Sequence, residues 1–149
     1  MRAVVQRVTS SSVQVDGNIV GSIGRGLNVL IGISKSDTLQ DLKYIRDKVI
    51  NLRIFEDEKD KMNLSILDVK GELLVISQFT LYGDCRKGRR PNFMEAKGGE
   101  EAEGLYKEFL SLLKESNIKI ETGEFGADMK VEINNDGPVT IILDSSKNF

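Results

Sequence analysis

Leu27-Asn28-Val29-Leu30-Ile31-Gly32-Ile33 is a dense apolar run, too short for an amphipathic helix and rich in residues that favour strands. It reads as a buried central strand, and the rest of the fold is built outward from it. Upstream, Arg2 to Val8 has strand-like composition and Ser12 to Val15 alternates. Asp16-Gly17 signals a hairpin, Asn18 to Ile23 returns, and Gly24 and Gly26 punctuate a turn. The N-terminal quarter is therefore a strand meander. Downstream, Leu39, Leu42, Ile45, Val49 and Leu52 recur at helical spacing behind a cap at Asp37 or Thr38. Arg53-Ile54-Phe55 is a short strand candidate, and Glu56 to Lys61 is a charged loop. After a turn at Gly71, Leu73 to Ile76 is a second buried strand. Tyr82 to Pro91 reads as a loop with basic residues. Gly99 or Glu100 to Lys114 is helical, with Ala102, Leu105, Phe109, Leu112 and Leu113 as its apolar stripe. Ile118 to Ile120 begins a strand. Met129, Val131 and Ile133 alternate, as do Val139, Ile141 and Leu143, and Ser145 to Phe149 is expected to be loose. The pattern predicts one α+β domain over residues 1–149, a curved, mostly antiparallel sheet carrying two principal helices.

Composition narrows the chemistry. The chain has no histidine, which removes the usual general base near neutral pH, the histidine-dependent triads and histidine metal sites. No acidic cluster suggests a metal site, and neither metal nor cofactor is expected. A single cysteine, Cys85, excludes an internal disulfide framework and suits a reducing cytosol. No apolar stretch is long enough for a membrane span, and Met1 to Val8 has polar breaks unlike a signal peptide, so a cytoplasmic location is expected. The net charge of −2 does not advertise a general nucleic-acid binder, yet Arg86, Lys87, Arg89 and Arg90 form a tight basic cluster that suits phosphate contacts or a solvated loop.

Two segments stand out as candidate chemistry. Ser77-Gln78-Phe79-Thr80-Leu81 lies where a strand leaves the core, so its backbone N–H groups are candidates to hold an oxyanion, that of Phe79 first. Gln78 can donate and accept, which suits a ribose hydroxyl or a carbonyl oxygen. Thr80 is a nucleophile candidate or a positioning group, although no base is evident. Ser77 and Thr80 equally suit satisfaction of polar groups at a strand end. The second segment is Asn134-Asn135-Asp136-Gly137-Pro138-Val139-Thr140. Pro138 cannot donate to a sheet ladder, and Gly137 allows unusual backbone angles and close approach. An ordinary hairpin turn is one reading. The other has the Gly137 and Pro138 carbonyls aimed at an ammonium or N–H donor. Met129 is either core or a pocket wall.

These segments, with Gln6-Arg7-Val8, the stretch from Gly24 to Gly32, Arg53-Ile54-Phe55, Lys61-Met62-Asn63-Leu64, Arg90-Pro91-Asn92-Phe93 and Phe125-Gly126-Ala127-Asp128-Met129, resemble the D-aminoacyl-tRNA deacylase family in order and separation over nearly the whole chain. The resemblance implies a barrel-like sheet and a homodimer with sites at or near the subunit interface. It implies hydrolysis of the ester between a D-amino acid and the 3′-terminal adenosine of tRNA, and removal of glycine mischarged on tRNA(Ala). It also implies a cis Gly137-Pro138 bond that reaches into the partner's site, binds the substrate α-ammonium through main-chain carbonyls and turns away L side chains. Phe79 N–H would steady the oxyanion, with Ser77 and Thr80 beside the ester. Gln78 would approach the ribose, Met129 would border the adenosine pocket, and Arg7 would shape the surroundings of Gly137-Pro138. The missing histidine favours attack by water assisted by the terminal 2′-hydroxyl over a threonine nucleophile. Two other readings are a non-catalytic tRNA-binding module and a hydrolase for small D-amino-acid derivatives.

Overall fold

Strand β3 (Gly26–Gly32) and strand β6 (Glu72–Ser77) run side by side in parallel through the centre of the computed structural model, which describes residues 1–149. Alternation explains their continuous apolar sequences. Val29, Ile31, Leu73 and Val75 point into one core, and Leu30, Leu74 and Ile76 into another on the opposite face. Strand β1 (Arg2–Val15) is long enough to pair along one edge with β3 and then with β2 (Asn18–Ile23), both antiparallel. Its other edge carries β8 (Lys130–Asp144), also antiparallel. A short strand β7 (Ile120–Thr122) lies parallel to β6 and completes the order β2-β1-β3-β6-β7, with β8 on β1. Close approach of β2 to β7 nearly closes the sheet, since a Cβ at Gly21 would press on the Thr122 carbonyl. A separate two-stranded ribbon of β4 (Phe55–Glu56) and β5 (Met62–Leu64) packs against the first core through Phe55 and Leu64. The architecture is the expected α+β one, with parallel pairing at β3-β6-β7 that local sequence does not encode.

Helix α1 (Leu39–Asn51) starts at Thr38, whose side chain accepts from Gln40 N–H while Asp41 returns a bond to the Thr38 N–H. Asp37, the other cap candidate, instead receives the N-terminal ammonium and the Ser34 N–H and hydroxyl. Leu42, Ile45, Val49 and Ile50 are the residues α1 buries, whereas Leu39 is exposed and Leu52 is its C-cap. Helix α2 (Gly99–Lys114) buries Ala102, Tyr106, Phe109 and Leu113. Tyr106 escaped the apolar pattern because it carries a hydroxyl. That hydroxyl donates to the Val75 carbonyl at 2.8 Å, and burial pushes its pKa up. The two helices cover one core, and the second lies inside the curved sheet among Val8, Val13, Ile23, Leu74 and Ile76. No helix is long and apolar enough to cross a membrane.

The C-terminal tail, read from sequence as loose, makes contacts with Met1, Arg2 and Asp144. Ser145 N–H donates to Met1 C=O at 2.9 Å, Asn148 donates to Asp144, and the Phe149 ring lies 5.9 Å from the Arg2 guanidinium. Gly26 carries the tightest backbone approach. It pairs with Glu72, and a Cβ there would fall onto the Glu72 backbone carbonyl. Gly26→Ala is therefore expected to cost about 3 kcal/mol or more, because backbone cannot move aside as a flexible side chain can. A lowered urea midpoint at unchanged m value would show it, and an unchanged midpoint would refute it.

Candidate active site

At the end of β6 the chain turns abruptly. Gln78 N–H still bonds to the Ile31 carbonyl at 2.7 Å, holding the exit against β3, and Phe79–Tyr82 then form one turn of 3-10 helix. The first N–H groups of such a turn have no intrahelical acceptor, and Phe79 holds the first position. A Cβ at Gly32 would press on Leu81 and on the Gln78 carbonyl, so glycine there lets the turn sit close to β3. The Gln78 side-chain amide donates to Thr80 Oγ1, fixing these two exposed-end groups relative to each other. No carboxylate, amine or other base is bonded to the Thr80 hydroxyl.

This turn forms one wall of a cavity of about 600 Å³, in the range typical of small-ligand sites. Ser77, Gln78 and Phe79 line that wall, with Ile31, Ile33 and Ile76 behind them. The start of α2 contributes Lys97, Gly98 and Gly99, and the segment before β8 contributes Phe125 to Met129. Met129 packs against the second core and also lines the cavity, so both readings of it hold. Phe79 is 56% exposed, and its ring meets that of Phe93 edge-on at 5.1 Å to close the rim. Phe93 and the stretch Phe125–Asp128 were not assigned site positions from sequence. Only the folded sheet carries them to the end of β6.

Gly137 and Pro138 do not line this cavity. They lie within β8, where its pairing with β1 breaks register between Gln6↔Thr140 and Val8↔Asn135. The segment is not a hairpin turn, one of its two readings, but a bulge inside one long strand, which accommodates a proline that cannot donate to the ladder. The Gly137-Pro138 bond is cis, Gly137 has φ of 118°, and both residues are exposed. Arg7 sits beneath this bulge. It is 6% exposed, donates to the Ile54 carbonyl at 2.7 Å and lies 3.2 Å from Asp136 and 3.9 Å from Glu56. A Cβ on Gly137 would come within 2.9 Å of the Arg7 guanidinium. Asn135, given no role from sequence, spans the bulge by donating to the carbonyls of Arg7 and Val139, each at 2.9 Å. An Asn two residues ahead of Gly-Pro is the local signal that marks it. The structure therefore brings Ser77, Gln78, Phe79 and Met129 together around one cavity, leaves Thr80 exposed beside it, bonded to Gln78 but outside the lining, and brings Arg7, Gly137 and Pro138 together at another place.

No group of three or more His, Cys, Asp or Glu side chains is arranged to hold a metal ion. Cys85 is exposed and free.

Residues 4–144 match the family model described as D-Tyr-tRNA(Tyr) deacylase. The chain is 90% identical over its full length, and that of the relative, to a D-aminoacyl-tRNA deacylase of Clostridium botulinum (strain Alaska E43 / Type E3). It is 79% identical, again over both full lengths, to the one from Clostridium beijerinckii. Among solved structures it is similar to the c-Myc DNA Unwinding Element Binding Protein, at TM-score 0.91 and 48% identity over 97% of this chain and 98% of that one. A structure described as a "probable eukaryotic D-amino acid tRNA deacylase" shares the fold, with TM-score 0.81 at 18% identity over 95% of this chain and 97% of the other. With the family model spanning nearly every element and near-identical relatives matching end to end, the chain belongs to the D-aminoacyl-tRNA deacylase family.

Proposed function

We propose that this protein hydrolyses the ester of D-aminoacyl-tRNA, and of glycyl-tRNA mischarged on tRNA(Ala), releasing the free amino acid and tRNA. It acts as a homodimer in which each cavity is completed by the partner's Gly137-Pro138. The observation that carries this reading is the division of one chain's motifs into two places. Ser77, Gln78 and Phe79 line a cavity, with Thr80 bonded to Gln78 beside it, whereas Gly137 and Pro138 stand exposed on β8 and outside that cavity. A second copy supplies the missing half of each site.

In the completed site the terminal adenosine occupies the cavity beside Met129, and Gln78 approaches its ribose. The α-ammonium of the amino acid donates to the Gly137 and Pro138 carbonyls of the other subunit. That anchoring sends a D side chain outward and an L side chain into backbone, so L substrates are rejected by clash, while glycine has nothing to reject. Arg7 and Asn135 keep the carbonyls in place, because their bonds tie the bulge to β1 and to Ile54. Water attacks the ester carbon, and the Phe79 N–H receives the oxyanion. The bond to the ribose 3′ oxygen then breaks, and the terminal 2′-hydroxyl passes a proton between the attacking water and that leaving oxygen. Thr80 positions, because its hydroxyl accepts from Gln78 and has no base.

The test is hydrolysis of D-Tyr-tRNA and L-Tyr-tRNA by the purified protein with a chelator present. Rapid loss of the D ester, at least about a thousandfold faster than the L ester, is expected, since a steric clash in a rigid site is worth several kcal/mol. Equal loss of both esters would remove the chiral role. Loss of neither, with tRNA bound, would favour a binding module.

A further inference from the structure

We propose that the loop from Asp84 to Asn92 is a phosphate-tracking arm that holds the RNA strand leading into the cavity. The inference rests on the reading of the cavity as the seat of an RNA 3′ terminus. The loop is closed at its root by a two-bond antiparallel pair, Asp84 N–H to Asn92 C=O at 2.8 Å and Asn92 N–H to Asp84 C=O at 2.9 Å. The Asn92 side chain accepts from Met94 N–H at 2.7 Å, and Gly88 turns the tip with φ of 91°. The arm is thus anchored where it leaves the body.

Its charge is sorted. Arg86 is paired at 2.9 and 2.7 Å with Asp84, whose carboxyl it holds down to about 2. Lys87, Arg89 and Arg90 are exposed and take part in no ion pair, whereas Arg86 among them is held by Asp84. Three uncompensated cations on one short loop oppose the overall charge of −2, so the arm concentrates anions at one place on a surface that otherwise repels them. Arginine is suited to phosphate by its planar fork of donors.

Position selects the anion. Immediately after Asn92 the chain enters Phe93, whose ring packs on Phe79 at the cavity rim. A Cβ at Gly83, just before the root, would lie 3.1 Å from the same ring. Both ends of the arm are therefore fixed to the wall of the cavity. A ligand that fills the cavity and also meets three cations on an arm rooted at its rim has one end apolar enough to enter and an extended anionic remainder. A polynucleotide ending in an unpaired nucleoside has that form, whereas a free amino-acid ester does not reach the arm.

The test is a variant with Lys87→Gln, Arg89→Gln and Arg90→Gln together in the full chain. Binding of uncharged tRNA is followed by fluorescence anisotropy across a range of salt. Hydrolysis is followed with D-Tyr-tRNA and with the D-tyrosyl ester of adenosine alone. Loss of three phosphate contacts is expected to flatten the slope of log affinity against log salt by about 2, at about 0.7 per single-strand contact. Affinity at low salt and kcat/KM on D-Tyr-tRNA fall about 10- to 100-fold, with the adenosine ester turned over as by the parent protein. An unchanged salt slope would overturn the arm, and so would equal losses on both esters, since the change would then act through the cavity wall. If the parent protein leaves the D ester intact, the reading of the cavity fails, while the salt slope still decides the arm.

Discussion

Gly137→Val is expected to reduce D-Tyr-tRNA deacylation about a hundredfold or more while leaving the protein folded and tRNA affinity within a few-fold. Gly137 has φ of 118°, a region that side-chain-bearing residues avoid at a cost of about 1–3 kcal/mol. Its Cβ would meet the Arg7 guanidinium and a Val139 methyl, each at 2.9 Å. Arg7 cannot retreat without loosening its bond to the Ile54 carbonyl and its approach to Asp136, and it is nearly fully buried. The bulge must shift instead, carrying the Gly137 and Pro138 carbonyls away from the α-ammonium. A displacement near 1 Å in a positioning group costs on the order of a hundredfold. Steady-state kinetics on D-Tyr-tRNA, with thermal unfolding as a control, reads the result. Activity within fivefold of the parent in a folded variant would show that these carbonyls do not position substrate.

The second large effect concerns the substrate. A D-Tyr-tRNA ending in 2′-deoxyadenosine is expected to bind normally and to be hydrolysed about 10²–10⁴-fold more slowly, the range that a positioned proton-transfer group contributes. The chain supplies no obvious substitute. It has no histidine, and the only hydrogen-bond donor recorded to Thr80 Oγ1 is the Gln78 amide. The ionisable groups lining the cavity are Lys97, paired with Glu101 at 3.2 Å, and Asp128. Thr80→Ala should accordingly stay within about tenfold of the parent, having lost positioning but no base. Comparable rates on the deoxy substrate would sink the RNA-assisted route. Abolition by Thr80→Ala with unchanged binding would restore the nucleophile, and abolition by Asp128→Asn would identify a carboxylate base.

Much of this protein was legible in its sequence because local rules and tertiary demands agree. Asp16-Gly17 makes the hairpin between β1 and β2, and Thr38 with Asp41 caps α1. The runs at Leu27–Ile33 and Leu73–Ile76 are strands buried on both faces, which is why alternation vanishes from them. Where a residue's role depends on a polar atom finding a distant partner, the pattern misled. Tyr106 is buried because Val75 offers a carbonyl, and the tail makes contacts with Met1, Arg2 and Asp144 that its sequence does not announce.

The sequence by itself determined the elements, the absence of histidine chemistry and the two segments worth inspecting. These follow from residue type and short-range spacing, which every stretch of chain carries within itself. Only the tertiary structure decided that Ser77–Phe79 faces Phe93, the start of α2 and Phe125–Met129 across one cavity, and that Gly137-Pro138 lies elsewhere, in a bulge braced by Arg7 and Asn135. Those neighbours come from opposite ends of the chain. Parallel pairing of β3 with β6 and the long pairing of β1 with β8 bring them together through contacts whose free energy exists only once the sheet has formed.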